Sequence, residues 1–133
     1  MKTIEVVAAV IRNHQNEIFC AKRRNDGPLA LKWEFPGGKI EADESHQDAL
    51  VREIQEEFSS LISVKDFILT VQHDYPTFHI TMHAYYAEVL EGELILNEHT
   101  DSKWLPLSQL LSLDWAAADL PIVHAISHAN NGG

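Results

Sequence analysis

Cysteine is nearly absent: Cys20 is the one thiol in 133 residues, so no internal disulfide can staple the chain and a buried core has to hold it. Cys20 lies in the apolar run IFCA, where a small buried hydrophobe fits better than a reactive thiol. Long hydrophobic runs are missing too. Val6 to Ile11 and Pro121 to Ile126 fall well short of the roughly 20 apolar residues that cross a bilayer as a helix. The opening MKTIEVVAAVI lacks a basic leader followed by a long apolar segment and a small-residue cleavage site. A cytoplasmic protein with no membrane partner is expected. Positive charge is scarce, with ten Lys plus Arg against twenty Asp plus Glu and a net charge of −10. That balance excludes bulk electrostatic binding to a nucleic acid polymer or an anionic membrane. A polyanionic ligand would need a cation between itself and this surface.

What is present suffices for one core. A chain of 133 residues with 45% hydrophobic composition can bury the interior of one domain, here expected over residues 1–129, as a monomer or homodimer. No internal repeat or low-complexity linker divides it. Thr3 to Ile11 is a near-continuous apolar, β-branched run suited to a strand buried on both faces. Glu17 to Lys22 is expected to return from it as a hairpin. Lys32 to Phe35 reads as a short strand broken by Pro36-Gly37-Gly38, and Val64 to His73 and Thr77 to Val89 as two more strands around the turn Asp74-Tyr75-Pro76. Lys103 to Leu105 is a last short strand, followed by a short helix over Leu107 to Leu111. Pro121 suits the first turn of a terminal helix ending near Ala129, because its missing N–H would be unpaired there. Residues 130–133, Asn-Asn-Gly-Gly, are expected to form a disordered tail.

Between Gly37 and Ile62 the chain packs seven carboxylates and a single arginine. Ser45 with Asp48 three residues on is close to a capping box, so a helix should start near His46. At about 100° per residue, Leu50, Val51, Ile54 and Phe58 gather on one side, and Arg52, Glu53, Glu56 and Glu57 on the other. A charged helix face is ordinarily just solvated. Glu53, Glu56 and Glu57 nevertheless stand at i, i+3 and i+4, where they repel one another. A hard divalent cation supplies the reason, since Mg²⁺ takes oxygen ligands from a few carboxylates together with substrate phosphates.

Gly38, five residues, Glu44, seven residues, then Arg52-Glu53-Ile54-Gln55-Glu56-Glu57 resembles the box of the Nudix hydrolase family, G-x5-E-x7-R-E-U-x-E-E-x-G-U with U apolar. Every charged position is matched. WEFPGGKIE at Trp33 to Glu41, IEVVAAVI near the start and DLPIV near the end are similar to segments of that family's MutT branch. The resemblance implies an α/β fold, an α/β/α sandwich around a mixed β-sheet. It also implies an enzyme that hydrolyses a nucleoside triphosphate to the monophosphate and pyrophosphate with Mg²⁺ or Mn²⁺. Two positions depart: Ser59 stands at the last glycine of the box and Ser60 at its last apolar position. A glycine there would cap the helix with φ > 0, so the double serine is read as a change of helix exit, not a loss of catalysis.

By the same resemblance, Glu53, Glu56 and Glu57, with a carbonyl of Gly37 or Gly38, should bind metal. Arg52 should hold the carboxylates, and Glu44 should support the loop and, through water, the metal network. Glu98 in LNEHT corresponds to a further carboxylate near the metals. Glu53 or Glu98 would accept the proton of the attacking water. Arg23 should reach phosphate or base, Phe35 and Phe78 are candidates to stack on a base, and Asp119 matches a base-reading asparagine of the MutT branch. As an ionised carboxylate Asp119 offers acceptors only; a plain helix cap before Pro121 is its structural alternative. His73, His79 and His83 show no zinc-ligand spacing and are read as packing or hydrogen-bonding residues. The expected substrate is a damaged nucleotide such as 8-oxo-dGTP, with CTP or a modified pyrimidine triphosphate as the alternative. A binding module without hydrolysis is the reading from another class, and such modules usually lose box glutamates.

Overall fold

A computed structural model describes residues 2–131. Nine regular elements follow in order: β1 (Lys2–Ile11), β2 (Glu17–Lys22), β3 (Trp33–Glu34), β4 (Gly37–Lys39), α1 (His46–Phe58), β5 (Leu61–Tyr75), β6 (Phe78–Glu91), β7 (Asp101–Pro106) and α2 (Leu120–Asn131). Short 3₁₀ turns at Leu107–Ser112 and Ala117–Asp119 precede α2. A four-stranded mixed sheet runs β4-β1-β6-β5, with β1 parallel to β6 and the other pairs antiparallel; a three-stranded antiparallel sheet runs β3-β2-β7.

The apolar run of β1 is buried on both faces, as its composition requires. Val7, Ala9 and Ile11 pack with Leu50, Ile54 and Phe58 of α1, whereas Ala8 and Val10 pack with Ile122, Val123 and Ile126 of α2. β2 divides likewise, Phe19 and Ala21 toward α1 and Ile18 and Cys20 toward α2. Helix, sheets and helix thus form three layers with a core on each side, an α/β/α sandwich. Each fully buried Leu, Ile or Phe contributes about 1.5–3 kcal/mol. Cys20 is buried in this core, where desolvation pushes its thiol up to about 12.

Four expectations are corrected. β2 is not the partner of β1. Both edges of β1 are taken by β4 and β6, so after a single bridge at Arg12 and Ile18 the chain crosses to the second sheet. Pro36-Gly37-Gly38 ends β3, but the two glycines then form β4, pairing Ala8 with Gly37 and Val7 with Gly38. A Cβ at Gly37 would overlap the Val7 carbonyl, so glycine is needed there for the strand to approach β1, and one at Gly38 would displace the Glu53 carboxylate from its place. The first strand after the helix begins at Leu61, directly beyond Ser60. Finally, α2 continues through Asn130 and Asn131, so half of the expected tail is helical backbone; residues 132 and 133 lie outside the described residues.

Candidate active site

The helix of the box starts where its sequence says. Ser45 Oγ accepts the Asp48 backbone N–H at 3.0 Å, and α1 runs from His46. It ends at Ser59, which adopts φ 51° and ψ 41° and donates its N–H to the Gln55 carbonyl. The serine therefore takes the left-handed conformation that glycine would have taken. Ser60 is buried; its hydroxyl donates to the Phe58 carbonyl at 3.0 Å and accepts the Leu94 N–H at 2.9 Å. A polar residue at this apolar position is satisfied because the loop after β6 closes onto it.

Glu53 and Glu57 on the polar face of α1 line a cleft, while Glu56 stays exposed. Arg52 is its hub. Its Nε and Nη2 donate to the two oxygens of Glu44 at 2.7 and 3.0 Å, Nη1 donates to Glu53 at 2.8 Å, and Nη2 also reaches the Lys39 carbonyl at 3.0 Å. Glu56 is held more loosely, at 3.3 Å. The bidentate pair drives the Glu44 carboxyl down to about 2 and raises the Arg52 guanidinium above its ordinary value. Glu53 goes the other way: burial, outweighing Arg52, raises its proton affinity.

Glu57 is the least satisfied carboxylate. One of its oxygens, Oε2, is buried with no hydrogen-bond partner. Burial, then the charges of Glu53, Glu34 and Glu98, push its pKa up to about 8. Glu98 is exposed, and it shares a hollow with Glu57 and Arg23. An unpaired buried carboxylate oxygen, an all-oxygen donor set and the glycine backbone beside it fit a hard divalent cation.

The adjoining cleft, of about 310 Å³, brings together most of the residues singled out in the sequence: Arg23, Phe35, Gly37, Gly38, Glu53, Glu57, Phe78 and Asp119. Arg23 Nη1 pairs with Glu34 at 3.1 Å, while its Nε is buried and unpartnered. Phe35 is only 3% exposed and its ring lies 4.6 Å from that of Trp115, so it forms the cleft floor and has no free stacking face. Phe78 is half-buried, its ring 5.0 Å from Tyr75.

Asp119 is 5% exposed, and its Oδ2 accepts the Phe35 backbone N–H at 2.9 Å. The carboxylate thus bonds to the chain before β4, and Asp119 lines the cleft. Burial first, and the nearby Glu34 charge second, raise its pKa well above the carboxylate norm. Burial thus works against the ionised, acceptor-only form expected for Asp119 from the sequence.

Sequence reasoning passed over Glu34 and His99. Glu34 accepts from Arg23 and meets His99 Nε2 at 2.8 Å, while the His99 ring stacks on Phe58 at 5.1 Å. Glu34 lies inside the quoted WEFPGG segment, so its position was visible there; His99, adjacent to Glu98, carried no such signal. A second cavity, about 340 Å³ and lined by Arg12, Glu88, Leu94 and Trp104 among others, contains none of the box residues.

Residues 7–125 match the family model of the NUDIX domain. The chain is 38% identical over 125 residues to the 8-oxo-dGTP diphosphatase of Escherichia coli, covering 92% of this chain and 95% of that one. It is 37% identical to the CTP pyrophosphohydrolase of the same organism, covering 94% and 92%. Among solved structures, the E. coli ORF135 protein superposes with a TM-score of 0.84 at 36% identity, over 98% of this chain and 92% of that one. The MutT protein of a methicillin-resistant Staphylococcus aureus gives 0.77 at 39%, over 97% and 99%. No helix among the described residues is long and apolar enough to cross a membrane. With every charged position of the box matched, Glu53 and Glu57 of α1 lining one cleft and a family match over residues 7–125, the protein belongs to the Nudix family and is a Nudix hydrolase.

Proposed function

We propose that the chain is a Mg²⁺-dependent nucleoside triphosphate pyrophosphohydrolase, converting a triphosphate and water to the monophosphate and pyrophosphate, and that it removes oxidised nucleotides such as 8-oxo-dGTP. The observation that carries this reading is the unpartnered Glu57 oxygen among Glu53, Glu34 and Glu98, at the mouth of a cleft whose far side holds Asp119. Glu53, Glu56, Glu57 and Glu98, with a carbonyl of Gly37 or Gly38, hold the cation, and Mn²⁺ suits the same oxygens. When bound, the cation neutralises the phosphates of an approaching triphosphate and polarises the phosphoryl oxygens.

The chain's own residues supply the rest. Arg52, tied to Glu44 and to the Lys39 carbonyl, keeps Glu53 in one orientation. Glu53, whose burial raises its proton affinity, accepts the proton of the attacking water as that water adds to the β-phosphorus. The bond from the β-phosphorus to the bridging oxygen breaks and the monophosphate leaves. Glu98 is the alternative base. The free Nε of Arg23 donates to a phosphate or to the base edge, Phe78 flanks the base, and Asp119 reads it.

A second substrate reading has its own support. The two E. coli relatives differ by one percentage point in identity, and one carries the name of a CTP pyrophosphohydrolase. Turnover of 8-oxo-dGTP, dGTP, CTP, 5-methyl-dCTP, dUTP and a nucleoside diphosphate-sugar, each with Mg²⁺ and with Mn²⁺, separates the two. Highest kcat/KM on 8-oxo-dGTP is the expected result, and preference for CTP or 5-methyl-dCTP replaces it with the pyrimidine reading. Binding without turnover would make the protein a recognition module.

A further inference from the structure

Away from the cleft, three residues far apart in the sequence converge. Glu5, His46 and His83 present ligand atoms that all lie within 4.8 Å of one another. Parallel pairing of β1 with β6 sets Glu5 opposite Thr81, so His83, two residues on, shares its face. The first residue of α1 brings His46 over the same spot. His83 was expected to serve only packing or hydrogen bonding, and no sequence spacing joins positions 5, 46 and 83; the fold does.

Each imidazole is already oriented by a hydroxyl. His46 Nδ1 lies 2.8 Å from the Tyr85 hydroxyl, and His83 Nδ1 lies 2.8 Å from Thr70 Oγ1. In the tautomer whose Nδ1–H donates to the hydroxyl, Nε2 carries the lone pair that ligates, the usual arrangement behind a metal-binding histidine; at His83 a metal ion would replace the Nε2 proton shared with Glu5. His83 Nε2 already meets a Glu5 carboxylate oxygen at 2.9 Å. The two rings stack at 4.1 Å and 18°, a geometry that disfavours charge on both. Burial, with the neighbouring His83, holds His46 below its ordinary pKa.

We propose that Glu5, His46 and His83 form a second metal site, separate from the carboxylates of the cleft, for a divalent transition ion of the zinc type. Two imidazole nitrogens and one carboxylate oxygen select such an ion over Mg²⁺, and water completes a tetrahedron. Ligand atoms around zinc stand roughly 3.3 Å apart for bonds of about 2.0–2.1 Å, a contraction that side-chain rotation supplies. The ion clamps the first turn of α1 to β1 and β6. Its three ligands come from three elements, so it binds the folded chain and raises its melting temperature.

The test uses the full chain stripped of metal with a chelator and titrated with Zn²⁺ by calorimetry in excess Mg²⁺, with Co²⁺ absorption reporting nitrogen ligation. One equivalent is expected to bind, to raise the melting temperature and to shift the imidazole resonances of His46 and His83 but not of His79. His46→Gln and His83→Gln should each weaken binding at least tenfold and cancel the thermal shift. Glu57→Gln should leave the equivalent in place. Circular dichroism checks that the histidine variants fold, and Glu5→Gln, at an exposed position, supplies a third variant in which weakened binding is expected. The proposal is overturned if Zn²⁺ does not bind in excess Mg²⁺, if the equivalent survives in both histidine variants, or if it disappears in Glu57→Gln.

Discussion

The Asp119 carboxylate accepts the backbone N–H of Phe35 at 2.9 Å, so a residue just before the last helix is fixed by one that leads into the glycine strand of the box. This bond leaves the other carboxylate oxygen of Asp119 for the cleft, and burial favours its protonated form. Asp119→Asn keeps one acceptor for Phe35 and one donor for the base, so melting temperature and substrate ranking should both stay close to wild type. Asp119→Ala leaves the Phe35 N–H unpaired in the core, a loss of about 1–3 kcal/mol, and should raise KM for the best substrate while flattening the ranking. Denaturant melts and the substrate panel check both. An unchanged ranking in the alanine variant would remove Asp119 from base recognition.

Glu57 should make the metal-free protein less stable as pH rises. Its folded pKa is pushed up to about 8, against about 4.3 for an unperturbed glutamate. Below about pH 4 both states hold the proton and the group costs nothing. Above that the unfolded chain ionises first, so stability falls until pH passes the folded value. Glu57→Gln should therefore melt near wild type at pH 4 and higher than wild type at pH 8. Added Mg²⁺ should narrow that difference by stabilising wild type alone. Activity of the variant should fall to less than about a tenth, roughly 1.4 kcal/mol of barrier. A scan of melting temperature against pH, with and without Mg²⁺, tests the sign.

Arg52→Lys keeps the charge and loses the fork. Lysine cannot reproduce paired bonds to both Glu44 oxygens while also reaching Glu53 and the Lys39 carbonyl. Turnover should drop tenfold or more with little change in secondary structure. Wild-type kcat in the lysine variant would mean that Glu53 does not depend on Arg52 for its orientation.

The two serines at the helix exit should respond differently. Ser59→Gly removes strain at φ 51° but also the hydroxyl that accepts from the Asn97 amide at 3.0 Å, so stability should be unchanged or rise by up to about 1 kcal/mol. Ser60→Ala strands the buried Leu94 N–H and should cost about 1–3 kcal/mol. Chemical denaturation distinguishes them, and equal effects would contradict the roles given to the two hydroxyls.

The box was legible because its chemistry is local: a cap at Ser45, an apolar stripe through Leu50, Ile54 and Phe58, and carboxylates at helical spacing all sit on one element. β1 was legible for a similar reason, its unbroken apolar run. What the sequence hid was set by partners. Nothing in EIFCAK says that β1 is already flanked on both edges, so the expected hairpin failed. Nothing in PGG distinguishes a chain break from a strand that only glycine can dock. Asp119 reads as a base-contacting residue with a helix cap as the alternative, and nothing in the sequence points to its bond with the Phe35 N–H. Burial, too, is not written in the pattern: the glutamate face of α1 read as outward-facing, yet Glu53 is only 14% exposed in its side chain.

Parallel pairing of β1 with β6 joins Lys2 with Phe78 and Ile11 with Ala87, so it closes a long stretch of chain before its first contact forms. Loop-closure entropy makes such pairings late and slow, whereas the β5–β6 hairpin, turning within two residues, forms from neighbours. Gly37 and Gly38 dock on β1, and Glu53 packs over Gly38. The hairpin is therefore expected to form first, β1 to be captured next and the carboxylate cluster to assemble last, so pulsed hydrogen exchange should protect the β5 and β6 amides before hydrolytic activity returns.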